Sequence, residues 1–197
     1  MRPRRSVGWA AAATAAAIAA ATAGPGPLAQ SPAECRIAGR VITANSVAVV
    51  YRKGSSSSHD IYACVQKTGD TRKLGFFDVD DRGVYALSLS GRYVAYIRAI
   101  CDRGSRCFGR PHVRDLVSNS ERNASKTPST AFDAKPIALP TGSMAWVRRK
   151  RETNEIRTFD GATERVVDSG PTVGSLARSG RTIYWLHDGE PRAQRAP

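Results

Sequence analysis

Groups from which a catalytic or metal centre could be built are scarce in this chain: three histidines, four cysteines and 17 acidic residues among 197. The histidines, His59, His112 and His187, are dispersed, and the cysteines lack paired short spacings. A zinc-type ligand set is therefore not expected. There is no G-x-S-x-G elbow to carry a serine nucleophile. A membrane-spanning helix needs about 20 strongly apolar residues, and no such run occurs. Beyond the first 23 residues no 3.6-residue hydrophobic period is visible either, which removes the helical folds.

What is present begins with an export signal. Arg2, Arg4 and Arg5 precede an uncharged, alanine-dominated stretch from Ala10 to Ala23, which closes on Ala21-Thr22-Ala23. A positive start, an apolar segment and a small-residue cleavage site predict a signal peptide over residues 1–23. Arg4-Arg5 fits the twin-arginine route as well as an ordinary positive start, so the export route stays open. Residues 24–34 are Pro/Gly-rich and read as a linker, leaving residues 35–197 as one domain that is secreted or held in the cell envelope. Glu34 precedes Cys35, where a lipid-acceptor cysteine normally follows a small residue, so no lipid anchor is expected.

Losing the three arginines of residues 1–23 takes the net charge from +13 to +10. Such a charge draws nucleic acids, anionic membranes and acidic polymers. The arginines are scattered rather than gathered into a stripe, so the expected consequence is a solvated basic surface with weak, non-specific polyanion binding. The densest run, Arg148-Arg149-Lys150-Arg151, repels itself and favours an exposed hairpin tip.

Four cysteines in an exported chain predict two disulfides, with three connectivities open. Cys101 and Cys107 enclose a turn-like segment between two strand candidates, which leaves Cys35 to pair with Cys64 and tie down the start of the domain.

The strongest pattern is a recurring phrase. Leu87–Arg98 reads L-S-L-S-G-R-Y-V-A-Y-I-R, Ile137–Arg148 reads I-A-L-P-T-G-S-M-A-W-V-R, and Leu176–His187 reads L-A-R-S-G-R-T-I-Y-W-L-H. Val47-Ala48-Val49-Val50 is a weaker first copy. Val47, Val94, Met144 and Ile183 then share one position, at spacings of 47, 50 and 39 residues. Repeats of about 40–50 residues built from short strands are the signature of propeller blades. The expected fold is all-β, with β-propeller-like blades of short antiparallel strands, three full repeats and a partial fourth. An incomplete ring leaves strand edges unpaired, so closure by self-association enters as an expectation.

The phrase L-S-L-S-G-R-Y-V-A-Y followed by P-H-V-R-D-L resembles the TolB-like β-propeller repeat. In that family a proline-aspartate pair stands where this chain has Leu89-Ser90. The resemblance spans most of residues 37–190 and implies a scaffold for protein or ligand contacts. Relatives of this fold that hydrolyse peptides carry a separate hydrolase domain after the propeller, and none is expected within these residues.

The remaining candidates have plain structural readings. Tyr96, Trp146 and Trp185 recur at one repeat position and are expected in the core rather than on a stacking platform. Asp78-Val79-Asp80-Asp81-Arg82-Gly83 starts like a calcium loop, but Arg82 stands where a ligand oxygen belongs and no closing glutamate follows. It reads as an acidic turn. Asn123-Ala124-Ser125 fits a glycosylation sequon, incidental beside a bacterial-type signal peptide.

The resulting reading is an exported, non-catalytic module, with no catalytic, metal or cofactor residues, that engages a protein or cell-envelope partner through its blade loops. Its rivals are a small propeller hydrolase or lyase with a funnel active site, and a dedicated polyanion binder. The funnel enzyme would need acids or histidines on the first strands, where Val84, Leu87, Leu89, Ile137 and Leu139 stand instead.

Overall fold

The computed structural model describes residues 35–78, 82–101, 107–125, 127–128 and 135–197. The expected signal peptide and linker, the 79–81 portion of the acidic turn and the 102–106 loop lie outside the described residues. Blade one holds β1 (Arg40–Ala44), β2 (Ala48–Gly54), β3 (Ser58–Val65) and β4 (Thr71–Asp78). Blade two holds β5 (Arg82–Ser90), β6 (Tyr93–Cys101), β7 (Cys107–Asp115) and β8 (Glu121–Asn123), and a short β9 (Thr127–Pro128) pairs with β7. Blade three holds β10 (Ile137–Ala138), β11 (Met144–Lys150), β12 (Thr153–Phe159) and β13 (Glu164–Gly170). Blade four holds β14 (Gly174–Ser179), β15 (Thr182–His187) and β16 (Glu190–Arg195).

Each blade is an antiparallel meander, and its turns follow from short polar side chains. The Asn45 side chain accepts hydrogen bonds from the Val47 and Ala48 amides between β1 and β2. Asp115 and Asp160 do the same for the amides two and three residues on, closing the third-to-fourth-strand turns of blades two and three. These are Asx turns, in which a carboxylate or amide replaces a backbone acceptor.

Alternation along the second strand of each blade builds the core. Val94 and Tyr96 of β6 face blade one, where they pack with Val50, Ile61, Ala63 and Leu74. Ala95, on the opposite face, packs with Met144, Trp146 and Phe159 of blade three. Ala145 and Ile156 in turn meet Ile183 and Trp185 of blade four. Period-two side chains thus split between two neighbours, and the four blades stack face to face. The first strands gather on the inside: β5 packs against β1 and β10, and β14 against β10. This is a propeller-like arrangement. Among the described residues no packing of that extent joins β14 to β1.

Three features differ from the expectation. Blades one and two are joined into one hydrogen-bonded sheet by two residue pairs, Phe77–Gly83 and Asp78–Arg82. Gly83 sits at φ 102°, where a Cβ would run into the Phe76 carbonyl, so only glycine fits this joint. The partial fourth repeat has three strands, because β14 forms over Gly174–Ser179 and β16 extends to Arg195. Finally, the first strand of blade three, β10, is only two residues long.

Cys35 and Cys64 are bonded, with Cα atoms 5.9 Å apart. Cys64 lies opposite Val49 in the register, on the face of blade one turned away from blade two. The bond therefore holds residues 35–39 over that face, and Val49 and Tyr51 beneath are buried.

Candidate functional site

The repeat aromatics are core. Tyr96 is 0 %, Trp146 2 % and Trp185 6 % exposed, and each sits in a different interface between blades. Arg148–Arg151 forms the β11–β12 tip as expected: Arg149, Lys150 and Arg151 are exposed, and Lys150 Nζ reaches Glu155 Oε1 at 2.5 Å. Asp78 pairs with Arg82 at the end of the β4–β5 ladder. His59 stacks on Phe77 and its Nδ1 lies 3.1 Å from the Ser55 carbonyl, within the exposed β2–β3 tip. The backbone register sets Cys101 directly opposite Cys107, while their side chains lie outside the described residues.

The organised polar chemistry lies at the outer part of each interface, around carboxylates. The first centre is Glu121, which opens β8. Tyr96, buried on β6, donates its hydroxyl to Glu121 Oε2 at 2.7 Å, and His112 on β7 places Nδ1 2.6 Å from Oε1. Tyr96 and His112 are register partners and stack with ring centroids 5.2 Å apart. Arg98 and Arg114 approach the same carboxylate at 3.5 and 3.7 Å. They also donate to the Leu74 and Lys73 carbonyls of β4, clamping blade two onto blade one. Burial alone would raise the Glu121 pKa, yet the His112 and Tyr96 hydrogen bonds and the neighbouring positive charge bring it down to about 2. Burial, together with the Glu121 charge, pushes the Tyr96 hydroxyl well above the ordinary range.

Blade three repeats the device with different chemistry. Arg157 lies opposite Trp146, as His112 lies opposite Tyr96, and Glu164 opens β13 as Glu121 opens β8. Arg157 bonds both Glu164 and the buried Glu155, and Glu164 also takes the amide and hydroxyl of Ser125 from blade two. These donors outweigh burial, so both carboxyls stay below their usual range.

The third centre is Asp168 on β13. Trp185 Nε1 donates to Oδ2 at 2.6 Å, and His187 Nδ1 lies 2.9 Å from the same atom, joining blade four to blade three. Burial works against the charge, but the Trp185 and His187 bonds hold Asp168 below its ordinary pKa. A histidine oriented by a carboxylate is half of a general-base arrangement. The Thr172 hydroxyl bonds Asp188, the residue after His187.

These three carboxylates were not singled out in the sequence. A signal did exist: Glu121 and Glu164 stand 43 residues apart, within the repeat distance, each at the start of a fourth strand. No cluster of three or more metal-ligating side chains is formed among the described residues. No helix there is long and apolar enough to cross a membrane.

The other conspicuous surface is the outer face of blade four. Tyr184 and Leu186 alternate with the buried Ile183 and Trp185 and are 42 % and 37 % exposed. On β1, Val41 and Ile42 are exposed as well.

No protein-family model matches the chain, and no curated protein matches it. Among solved structures it is similar to the β-propeller domain of the trilobed protease from Pyrococcus furiosus, at 16 % identity and a TM-score of 0.49. That likeness covers 80 % of this chain and 57 % of the other. An uncharacterised protein of Listeria monocytogenes aligns at 10 % identity and a TM-score of 0.45, over 80 % of this chain and 53 % of that one. An acylaminoacyl peptidase aligns at 14 % identity and a TM-score of 0.48, over 79 % and 32 %. The chain thus spans between about a third and somewhat over half of the length of these proteins.

Proposed function

We propose that this domain is an exported, non-catalytic interaction module of the TolB-like type, which engages a protein or cell-envelope component through blade surfaces its own fold leaves uncovered. The observation that carries the reading is the outer face of blade four. There Tyr184 and Leu186 sit exposed on a regular strand, while the corresponding faces of the other blades are filled by a neighbouring sheet. Large apolar side chains kept on a flat surface favour protein contact. The histidine–carboxylate pairs favour a non-catalytic role, because His112 is spent on Glu121 within blade two and His187 on Asp168 between blades four and three. Val84, Leu87 and Leu139, on or beside the inner strands, are buried and apolar, which gives a funnel enzyme no acid or base at these positions. The Cys35–Cys64 bond and the signal-like first 23 residues together favour an oxidising, extracytoplasmic compartment.

The test is capture from a solubilised cell-envelope extract on the immobilised, disulfide-bonded protein. A retained component should be lost when Tyr184→Arg is introduced and kept when Arg149→Ala is. Retention that ignores Tyr184 but disappears with added salt and with Arg148, Arg149 and Arg151 neutralised together would replace this reading with polyanion binding.

A further inference from the structure

We propose that the outer face of blade four is a two-fold interface for a second copy of this chain. The proposal rests on the reading of that face as an interaction surface and names its occupant. Register pairing puts Ala177, Tyr184 and Ala193 in one row across the three strands, and Gly174, Leu186 and Pro191 in the next. All six therefore share the face opposite Ile183 and Trp185, which is packed on blade three. Together they make a continuous apolar surface, with Tyr184 rising between two alanines.

What covers such a face can be read from the equivalent positions. In the ungapped repeat alignment Tyr184 stands where blades two and three have Ala95 and Ala145. Both alanines are fully buried under the following sheet, at 0 % exposure. A regular next blade thus demands a small residue at this position, and a tyrosine there would hold such a sheet away. Blade four is shaped for a different contact. Nor can the outer face of blade one supply it in head-to-tail fashion, because residues 35–39, tied by Cys35–Cys64, already lie on that face.

A second blade four meets both conditions. With the two-fold axis between the sheets and across the strands, each Tyr184 can enter the low ground over the partner copy's small residues, and both copies use the same patch. That is the self-complementarity an isologous interface requires. The same operation reverses strand direction, so the two ends of the blade meet. One end carries the exposed Arg181 and Arg195, whereas the β15–β16 tip carries Asp188 and Glu190 with Arg192 beside them. The acidic tip of each copy then lies over the basic end of the other. Two copies placed with parallel strands would set like ends together, so the charge pattern selects the antiparallel arrangement.

Sedimentation equilibrium of the disulfide-bonded protein across the micromolar range tests this, alongside Tyr184→Arg, Arg195→Glu and, as a control, Phe76→Arg. Phe76 is an equally exposed aromatic on β4, away from blade four. The wild type and the Phe76 variant should form dimers. Tyr184→Arg should weaken association by at least about 30-fold, as loss of an interface hot spot does. Arg195→Glu should weaken it by about fivefold, the size of a rim charge pair. Circular dichroism should show all three variants folded. A wild type that stays monomeric throughout, or equal losses at Tyr184 and Phe76, would overturn the proposal. A monomer whose envelope capture still depends on Tyr184 would overturn the second copy while leaving the interaction reading intact. A dimer whose capture ignores Tyr184 would do the reverse.

Discussion

Glu121→Gln isolates the charge around which Arg98 and Arg114 clamp blade two onto blade one. Glutamine keeps the shape of the side chain and can still accept the Tyr96 hydroxyl, but it gives Arg98, Arg114 and His112 no carboxylate. The wild-type carboxyl is held at about 2, against an ordinary value of 4.5. At about 1.4 kcal/mol per pH unit, that drop corresponds to roughly 3 kcal/mol of folding stability at pH 7. The sign follows from the direction of the shift. A carboxyl with a depressed folded-state pKa binds protons more readily when unfolded, so its contribution is complete above about pH 4.5 and is lost as the pH falls towards 2. The stability gap between wild type and Glu121→Gln should therefore shrink from about 3 kcal/mol at pH 7 to about 1.5 kcal/mol at pH 3. Urea unfolding of both proteins at pH 7, 5 and 3 measures it, and general acid destabilisation affects both alike. Parallel stability curves with a constant gap would refute the assignment, since the charge of Glu121 would then not be what the network holds.

Trp146→Ala and Trp185→Ala should each cost about 3–5 kcal/mol in thermal or urea unfolding, as expected for emptying a buried interface between sheets. The milder Trp185→Phe should cost about 1–2 kcal/mol more than Trp146→Phe, because Trp185 Nε1 bonds Asp168 and the buried Trp146 Nε1 has no protein partner among the described residues. Replacing Cys35 and Cys64 together by serine should remove about 3–4 kcal/mol, from the loop of 29 residues it closes. Peptide mapping of the non-reduced protein should recover Cys101 linked to Cys107, whose backbones face each other across β6 and β7; a Cys35–Cys101 peptide would contradict both assignments.

The elements legible in the sequence are those whose signal is local. The L-S-L-S-G-R-Y-V-A-Y phrase predicts the β5–β6 hairpin because Ser90-Gly91 supplies a turn and the following residues alternate; Gly91 takes the left-handed conformation the turn needs. Asp160-Gly161 marks its turn for the same reason. Strand β14 was harder to see. Gly174-Ser175-Leu176-Ala177-Arg178-Ser179 has no β-branched residue, and its ladder to β15 slips between Gly174 and Ala177 with Ser175 at positive φ. Only the cover of β15 makes it a strand. The two-pair joint between β4 and β5 is equally invisible, since two residue pairs leave no periodicity. The burial of Tyr96, Trp146 and Trp185 was readable because recurrence at one repeat position is itself a packing signal.

The carboxylate centres were missed for a different reason. A repeat fixes which residues are equivalent, but it does not say which strand of one blade will reach the next. Glu164 meets Ser125 across 39 residues and Asp168 meets His187 across 19, with a change of sheet in each case. Once the stacking is known, their logic is simple. The inner part of each interface is closed by apolar side chains, whereas the outer part must accommodate the polar ends of the same large residues. Tyr96 and Trp185 carry a hydroxyl and an indole N–H into the interface, and a buried donor left unpaired costs about 1–3 kcal/mol. A carboxylate at the start or middle of the fourth strand meets that need. The charge of Glu121 also holds His112, the register partner of Tyr96, and that of Asp168 holds His187, whereas Glu164 binds Arg157, the register partner of Trp146, and leaves Trp146 Nε1 without a protein partner among the described residues. His112 and His187 accordingly accompany Tyr96 and Trp185 as further partners of the carboxylates that satisfy these two aromatics.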